Sequence, residues 1–126
     1  MSYIIRAGNL ADTPVLREGE RGERYTYARI LVSDGIPQED GTFENGPTVG
    51  YDVLVRGAQA VNLVDAAEAS GNLRIMFAGR YRVTEYTNDK GTFAQHKVSA
   101  DQVAVSLQGQ AVRAESTRQA AQEDAS

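Results

Sequence analysis

Apolar and polar side chains alternate with period two along Arg24–Ser33 (RYTYARILVS). Thr26, Ala28, Ile30 and Val32 fall on one face, while Tyr25, Tyr27, Arg29 and Leu31 fall on the other, which predicts a half-buried strand. A shorter strand is predicted over Tyr3–Asn9, with Ile4 and Ile5 at its centre and Gly8-Asn9 as a turn or bulge signal. Residues 10–23 are charged and turn-rich, and read as a loop. Residues 34–49 hold three glycines, two prolines and a run of acids, and read as a long loop or flexible hairpin tip. Tyr51–Arg56 is a third strand, with Tyr51, Val53 and Val55 facing one way and Asp52, Leu54 and Arg56 the other.

The period then changes. Ala60, Leu63, Val64 and Ala67 recur at helical spacing within 58–70, and Gly71-Asn72 supplies a stop. Leu73–Tyr86 reads as a long strand bent at Gly79. Beyond the bend, Arg80, Arg82, Thr84 and Tyr86 share one face. Asn88–Gly91 is a hairpin turn. Thr92–Leu107 returns as a strand interrupted near Ala100-Asp101. Five strands with one short helix between the third and fourth predict an all-β OB-fold, a five-stranded Greek-key barrel, over residues 1–107. Residues 108–126 carry almost no large apolar side chains, and are expected to be a flexible or conditionally helical tail.

Composition removes several chemistries. The 126 residues include no cysteine and one histidine, His96. Disulfides, thiolate catalysis, cysteine-ligated zinc and multi-histidine metal sites are therefore outside its reach. The acids of 34–52 lack the spacing of a calcium loop, and no glycine-rich phosphate cradle is present. The expectation is a non-enzyme with no cofactor and no metal. No apolar run is long enough to span a membrane, and the N-terminus has no secretory pattern, so a cytoplasmic location is expected.

Net charge is −4, which argues mildly against a nucleic-acid partner. Its distribution alters that inference. Residues 71–99 carry a charge of +3, whereas residues 34–52 hold five acids and no base. Eleven of the thirteen basic residues are arginine. That bias suits bidentate phosphate contacts, though it also fits arginine usage in a GC-rich genome.

Four stretches resemble one family. Gly8-Asn9-Leu10 with Asp12–Arg17, Tyr51–Gly57 with Ala60, Ala78–Arg82 with Tyr86-Thr87 and Gly91, and Lys97–Val103 are similar, in order and spacing, to segments of bacterial single-stranded-DNA-binding proteins (SSB). The similarity spans residues 4–107. It implies an oligomer, usually a tetramer with a dimer as alternative, whose first strand pairs between subunits, here through Tyr3, Ile4 and Ile5. It also implies sequence-independent binding of single-stranded DNA in replication, recombination or repair. The departures mark a divergent member, such as a phage, plasmid or secondary chromosomal copy. Of the family's stacking aromatics only Tyr86 is retained, with Ile36, Gly50 and Arg56 at the other positions. The acidic tip that recruits replication and repair proteins lacks its terminal phenylalanine, as the chain ends Gln122–Ser126.

The candidate DNA-binding residues are Tyr25, Tyr27, Arg29, Arg56, Arg74, Arg80, Arg82, Tyr86 and Lys97. Arg80, Arg82 and Tyr86 at period two read as a groove pairing phosphates with arginine and a base with tyrosine, against an ordinary solvated strand face. Tyr25, Tyr27 and Arg29 are substitute platforms or packing residues. Arg74 extends the groove or pairs with Asp65. Lys97 reaches phosphate or protects a strand edge. His96 reads as a surface or packing residue. The alternative function is an OB-fold interaction or mixed-oligomer module that has lost its stacking aromatics.

Overall fold

In the computed structural model, which describes residues 2–117, the alternating segment becomes β3 (Arg24–Pro37). Thr26, Ala28, Ile30 and Val32 are buried, as the period requires. β4 (Phe43–Arg56) returns beside it and buries Tyr51, Val53 and Val55. The pair runs antiparallel from Tyr25↔Arg56 to Pro37↔Phe43, with an irregularity between Ser33 and Gly35. Most of the expected loop 34–49 is therefore strand, and only residues 38–42 form the turn. The reason lies in the backbone rather than in apolar patterning. A Cβ at Gly46 would come within 2.6 Å of the Asp34 carbonyl oxygen, so this glycine permits close strand approach instead of breaking the ladder. The Ser33 and Thr48 hydroxyls bond across the strands at 2.6 Å, and the Gln38 N–H donates to the Thr42 carbonyl at 2.8 Å.

β1 (Ser2–Leu10) pairs antiparallel with β5 (Arg74–Asn88) from Ser2↔Tyr81 to Asn9↔Arg74. Its far end meets β3 at Asn9↔Leu31 and Leu10↔Ile30. A two-residue strand, β2 (Arg17–Glu18), lies on the outer edge of β3, within the segment read as loop. β5 and β6 (Gly91–Val105) form a long hairpin. Gly91, at φ 129°, makes its tight turn. The register jumps between Ala78↔Gln102 and Gly79↔Ala100, leaving Asp101 as the extra residue of a bulge. A side chain at Gly79 would run into the Ser99 backbone, so the bend and the interruption near Ala100-Asp101 are one feature.

β4 and β6 pair in parallel from Tyr51↔His96 to Leu54↔Ser99. The five long strands thus close as β1-β5-β6-β4-β3-β1, with β2 outside the ring. The helix α1 (Ala58–Ser70) lies between the third and fourth long strands. Its buried residues are Ala60, Leu63, Val64 and Ala67. Three of them, Ala60, Leu63 and Ala67, join Leu10, Ile30, Val53, Ile75 and Phe77 in one apolar cluster. This is the predicted OB-fold. Of the expected tail, residues 118–126 lie outside the described residues. The preceding segment folds back on β5: the Gln110 side chain accepts the Arg74 N–H at 3.4 Å and donates to the Arg74 carbonyl at 2.9 Å. A side-chain amide thus stands in for a neighbouring strand. No helix among the described residues is long and apolar enough to cross a membrane.

Candidate nucleic-acid interface

Because side chains alternate across a strand, register decides which outward residues become neighbours. Three rows follow. Tyr25 lies opposite Arg56. Tyr27, Leu54, Ser99 and Arg80 form the second row, and Arg29, Asp52, Lys97 and Arg82 the third. Residues from four strands, scattered through the sequence, meet on one outer face of the barrel.

That face is concave. A groove of about 480 Å³ is walled by Tyr27, Leu54, Arg56, Arg80, Arg82 and Lys97, with Asp52, Gln95, Val98 and Ser99 completing it. Four cations face a single carboxylate. That carboxylate is already engaged, since Arg29 Nη1 donates to Asp52 Oδ1 at 3.1 Å. The Arg56 guanidinium donates to Ser99 Oγ at 3.0 Å, which orients it at the wall. Leu54 supplies apolar surface between the charges. A cationic groove with apolar and tyrosine walls can take a polyanion that also carries flat rings.

The face continues up the β5–β6 hairpin through Thr84↔Gln95 to Tyr86↔Phe93. Both aromatic side chains are half exposed, at 50% and 48%. Phe93 was not among the residues singled out from the sequence. Counting outward from the turn could have found it: Tyr86 lies two residues before Asn88, and Phe93 two after Gly91.

The structure thus brings together Tyr27, Arg56, Arg80, Arg82 and Lys97. Tyr25 lines an adjoining hollow and meets Tyr27 edge-on, with ring centroids 5.9 Å apart. Arg29 stands at the rim, its guanidinium lying where a side chain at Gly50 would be. A planar cation thus covers a position where the resembling family carries an aromatic ring. Arg74 is not part of the groove. It lies six residues down β5 from Arg80, about 20 Å along the strand. It is tied to Gln110, and among the described residues no ion pair joins it to Asp65. Its Nε is buried without a partner.

The three N-terminal candidates separate by face. Tyr3 and Ile5 point outward and are exposed, with Met76 nearby, whereas Ile4 packs against the core. Ile4 is only partly buried, so it exposes less of its side chain than Tyr3 and Ile5. Partial desolvation raises the Tyr3 hydroxyl above its ordinary pKa, with Asp101 adding to the shift. His96 lies on the opposite, inward side of β6. It is bonded through Nδ1 to the Tyr81 hydroxyl at 2.6 Å and packed against Tyr51. Burial pushes the Tyr81 hydroxyl up as well, with the Tyr51 hydroxyl adding and Arg6 opposing. Among the described residues no group of three His, Cys, Asp or Glu side chains could hold a metal ion.

No family model and no curated relative matches the sequence. Solved structures do match the fold. A small single-stranded DNA-binding protein from Streptomyces coelicolor superposes with a TM-score of 0.70 at 21% identity, covering 85% of this chain and 95% of that one. A deletion mutant of the single-stranded DNA binding protein from Thermus aquaticus gives 0.61 at 18% identity, over 83% of this chain and 50% of that chain. The chain therefore shares the OB-fold of bacterial single-stranded-DNA-binding proteins.

Proposed function

We propose that this protein binds single-stranded DNA without sequence preference and without catalysis. The observation carrying this reading is the groove itself, where Arg56, Arg80, Arg82 and Lys97 converge beside Tyr27 and lead to Tyr86 and Phe93. Arginines neutralise phosphates and release counterions, while tyrosines and phenylalanine stack on bases that need not be identified. Binding protects the strand during replication, recombination or repair in the cytoplasm.

The protein assembles with itself. The edge of β1 away from β5 is unpaired before Asn9 among the described residues. Beside it lies an exposed apolar face of Tyr3, Ile5 and Met76. Pairing of two such edges satisfies backbone groups that otherwise face water. A tetramer or dimer then links several weak grooves by effective concentration.

A second reading is an interaction module. It draws on Phe43 and Ile36, which stand exposed on the acidic β3–β4 arm. Fluorescence titration of dT oligomers and of duplex DNA, at several salt concentrations, tests the first reading. Tighter binding of dT, weakening as salt rises, is expected. Equal affinity for both, or none for either at low salt, excludes it. If Tyr86→Ala with Arg82→Ala leaves dT binding unchanged, the interaction module is favoured.

A further inference from the structure

The outer face does not stop at the groove. On β3, Tyr25 lies opposite Arg56; on β2, Arg17 lies opposite Tyr25. Adjacent strands are about 4.8 Å apart, so Tyr25 stands in a row between two arginines. Beside this row is a second hollow of about 500 Å³, whose walls include Arg24, Tyr25, Tyr27, Leu54 and Arg56. Tyr27, Leu54 and Arg56 also wall the groove, so the two hollows are continuous.

The Tyr25 and Tyr27 rings stand at 85° to one another. They cannot serve as one flat platform, and each offers its own stacking surface. Two carboxylates are close by. Glu23 lines the hollow, where it accepts the Arg21 N–H at 3.0 Å, and Glu18 pairs in register with Arg24. Among the described residues neither Arg17 nor Arg24 is held in an ion pair. Arg29, by contrast, is held by Asp52. The cations at this end are thus as free of ion pairs, among the described residues, as those of the groove.

We propose that the second hollow binds one further nucleotide of the strand lying in the groove, with its base on Tyr25 and its phosphate on Arg17 and Arg24. This rests on the reading of the groove as a single-stranded DNA site, and extends it in a stated direction. The strand enters at the β5–β6 hairpin, crosses β6 and β4, and ends over β3 and β2. Four strand intervals separate β5 from β2, which is about 19 Å of flat sheet. The perpendicular tyrosines require the last base to turn relative to the one before it.

The test is a length series of dT oligomers measured by fluorescence anisotropy on the full chain, with Arg17→Ala, Arg24→Ala, Tyr25→Ser and Tyr25→Phe. For the unsubstituted protein, affinity should rise with length to a plateau. Tyr25→Ser should lower the plateau by about tenfold, within the range for one lost stacking contact, while leaving the shortest binding oligomers unaffected. Tyr25→Phe should restore the plateau. Each arginine variant should flatten the salt dependence by about 0.7 in log–log slope on long oligomers only. Wild-type affinities at every length for Tyr25→Ser overturn the proposal. So does an equal loss at every length, since Tyr25 would then belong to the groove or to the fold. Circular dichroism melting separates those two cases. Absence of dT binding by the unsubstituted protein at all lengths overturns the groove reading, and this extension falls with it.

Discussion

Arg82 and Tyr86 lie on the same strand and face but are expected to act differently. Arg82 sits in the groove opposite Lys97, and in the proposed function its partner is a phosphate whatever the base. Arg82→Ala should weaken dT binding uniformly across sequences and reduce the log–log salt slope by about 0.7. Tyr86→Ala should cost about 1–3 kcal/mol through lost stacking and leave the salt slope unchanged. Titrations at three salt concentrations distinguish the two. Both residues were legible in the sequence, because period two after Gly79 places them on one face. Phe93 and Ser99 were not, because their role depends on which residue of β5 they oppose. Arg74 shows the converse. It shares the parity of Arg80 but sits too far along the strand, and Gln110 has claimed its backbone. Gln110→Ala should lower stability by about 1–3 kcal/mol, since the half-buried Arg74 N–H loses its acceptor, whereas the Arg74 carbonyl keeps the Ser106 N–H. Chemical denaturation measures this, and dT affinity should not change.

At the level of elements, the β5–β6 hairpin depends on a close backbone approach at Gly79. Gly79→Ala drives a methyl group into the Ser99 backbone and should destabilise the fold by roughly 1–3 kcal/mol. Because Ser99 also holds Arg56, the same substitution should weaken dT binding in protein that remains folded. Denaturation and titration of the one variant report both effects. The β3–β4 arm owes its turn to Asp40. The Thr42 hydroxyl donates to Asp40 Oδ1 at 2.6 Å and the Thr42 N–H at 3.0 Å. These bonds hold the Asp40 carboxyl below its ordinary pKa, the side-chain bond contributing most. A depressed carboxyl stabilises the folded turn above its unfolded pKa, and that contribution is lost as pH falls through the folded value. Thr42→Ala should move the Asp40 titration upward, as followed by NMR. In this arm the glycines and acids predict a long loop or a hairpin tip, and the structure has a paired hairpin whose tip is only residues 38–42. Local composition marks turns, whereas Gly46 is needed for strands to approach.

For the whole molecule, the barrel sorts charge without changing its total. The overall charge is −4, yet the groove presents four cations and an already paired carboxylate. Long-range attraction of duplex DNA is therefore expected to be weak, and the proposed binding is expected to be confined to the face where arginine and tyrosine converge. The outward face of β1 and β5 has a different fate. Ile5 is 61% exposed, and Met76 stands beside it. Ile5→Glu should leave the monomer folded, because the side chain already faces solvent. It should shift the molecular mass in solution toward the monomer, as read by light scattering. A mass unchanged by the substitution would place the subunit contact elsewhere.

The alternation along Arg24–Val32 and Tyr51–Val55, the helical spacing of Ala60, Leu63, Val64 and Ala67, and the turn at Asn88–Gly91 determined the elements and their buried faces. These are local properties, set by a side-chain period of two or 3.6, and they need no partner to be read. The neighbours of each face were decided only by the tertiary structure. The parallel pairing of β4 with β6 sets Asp52 against Lys97 and Leu54 against Ser99. The bulge at Asp101 then sets Arg80 against Ser99. A shift of one residue would turn these side chains to the opposite face. Register is a property of pairs of strands far apart in sequence, so the groove exists only once the barrel has closed.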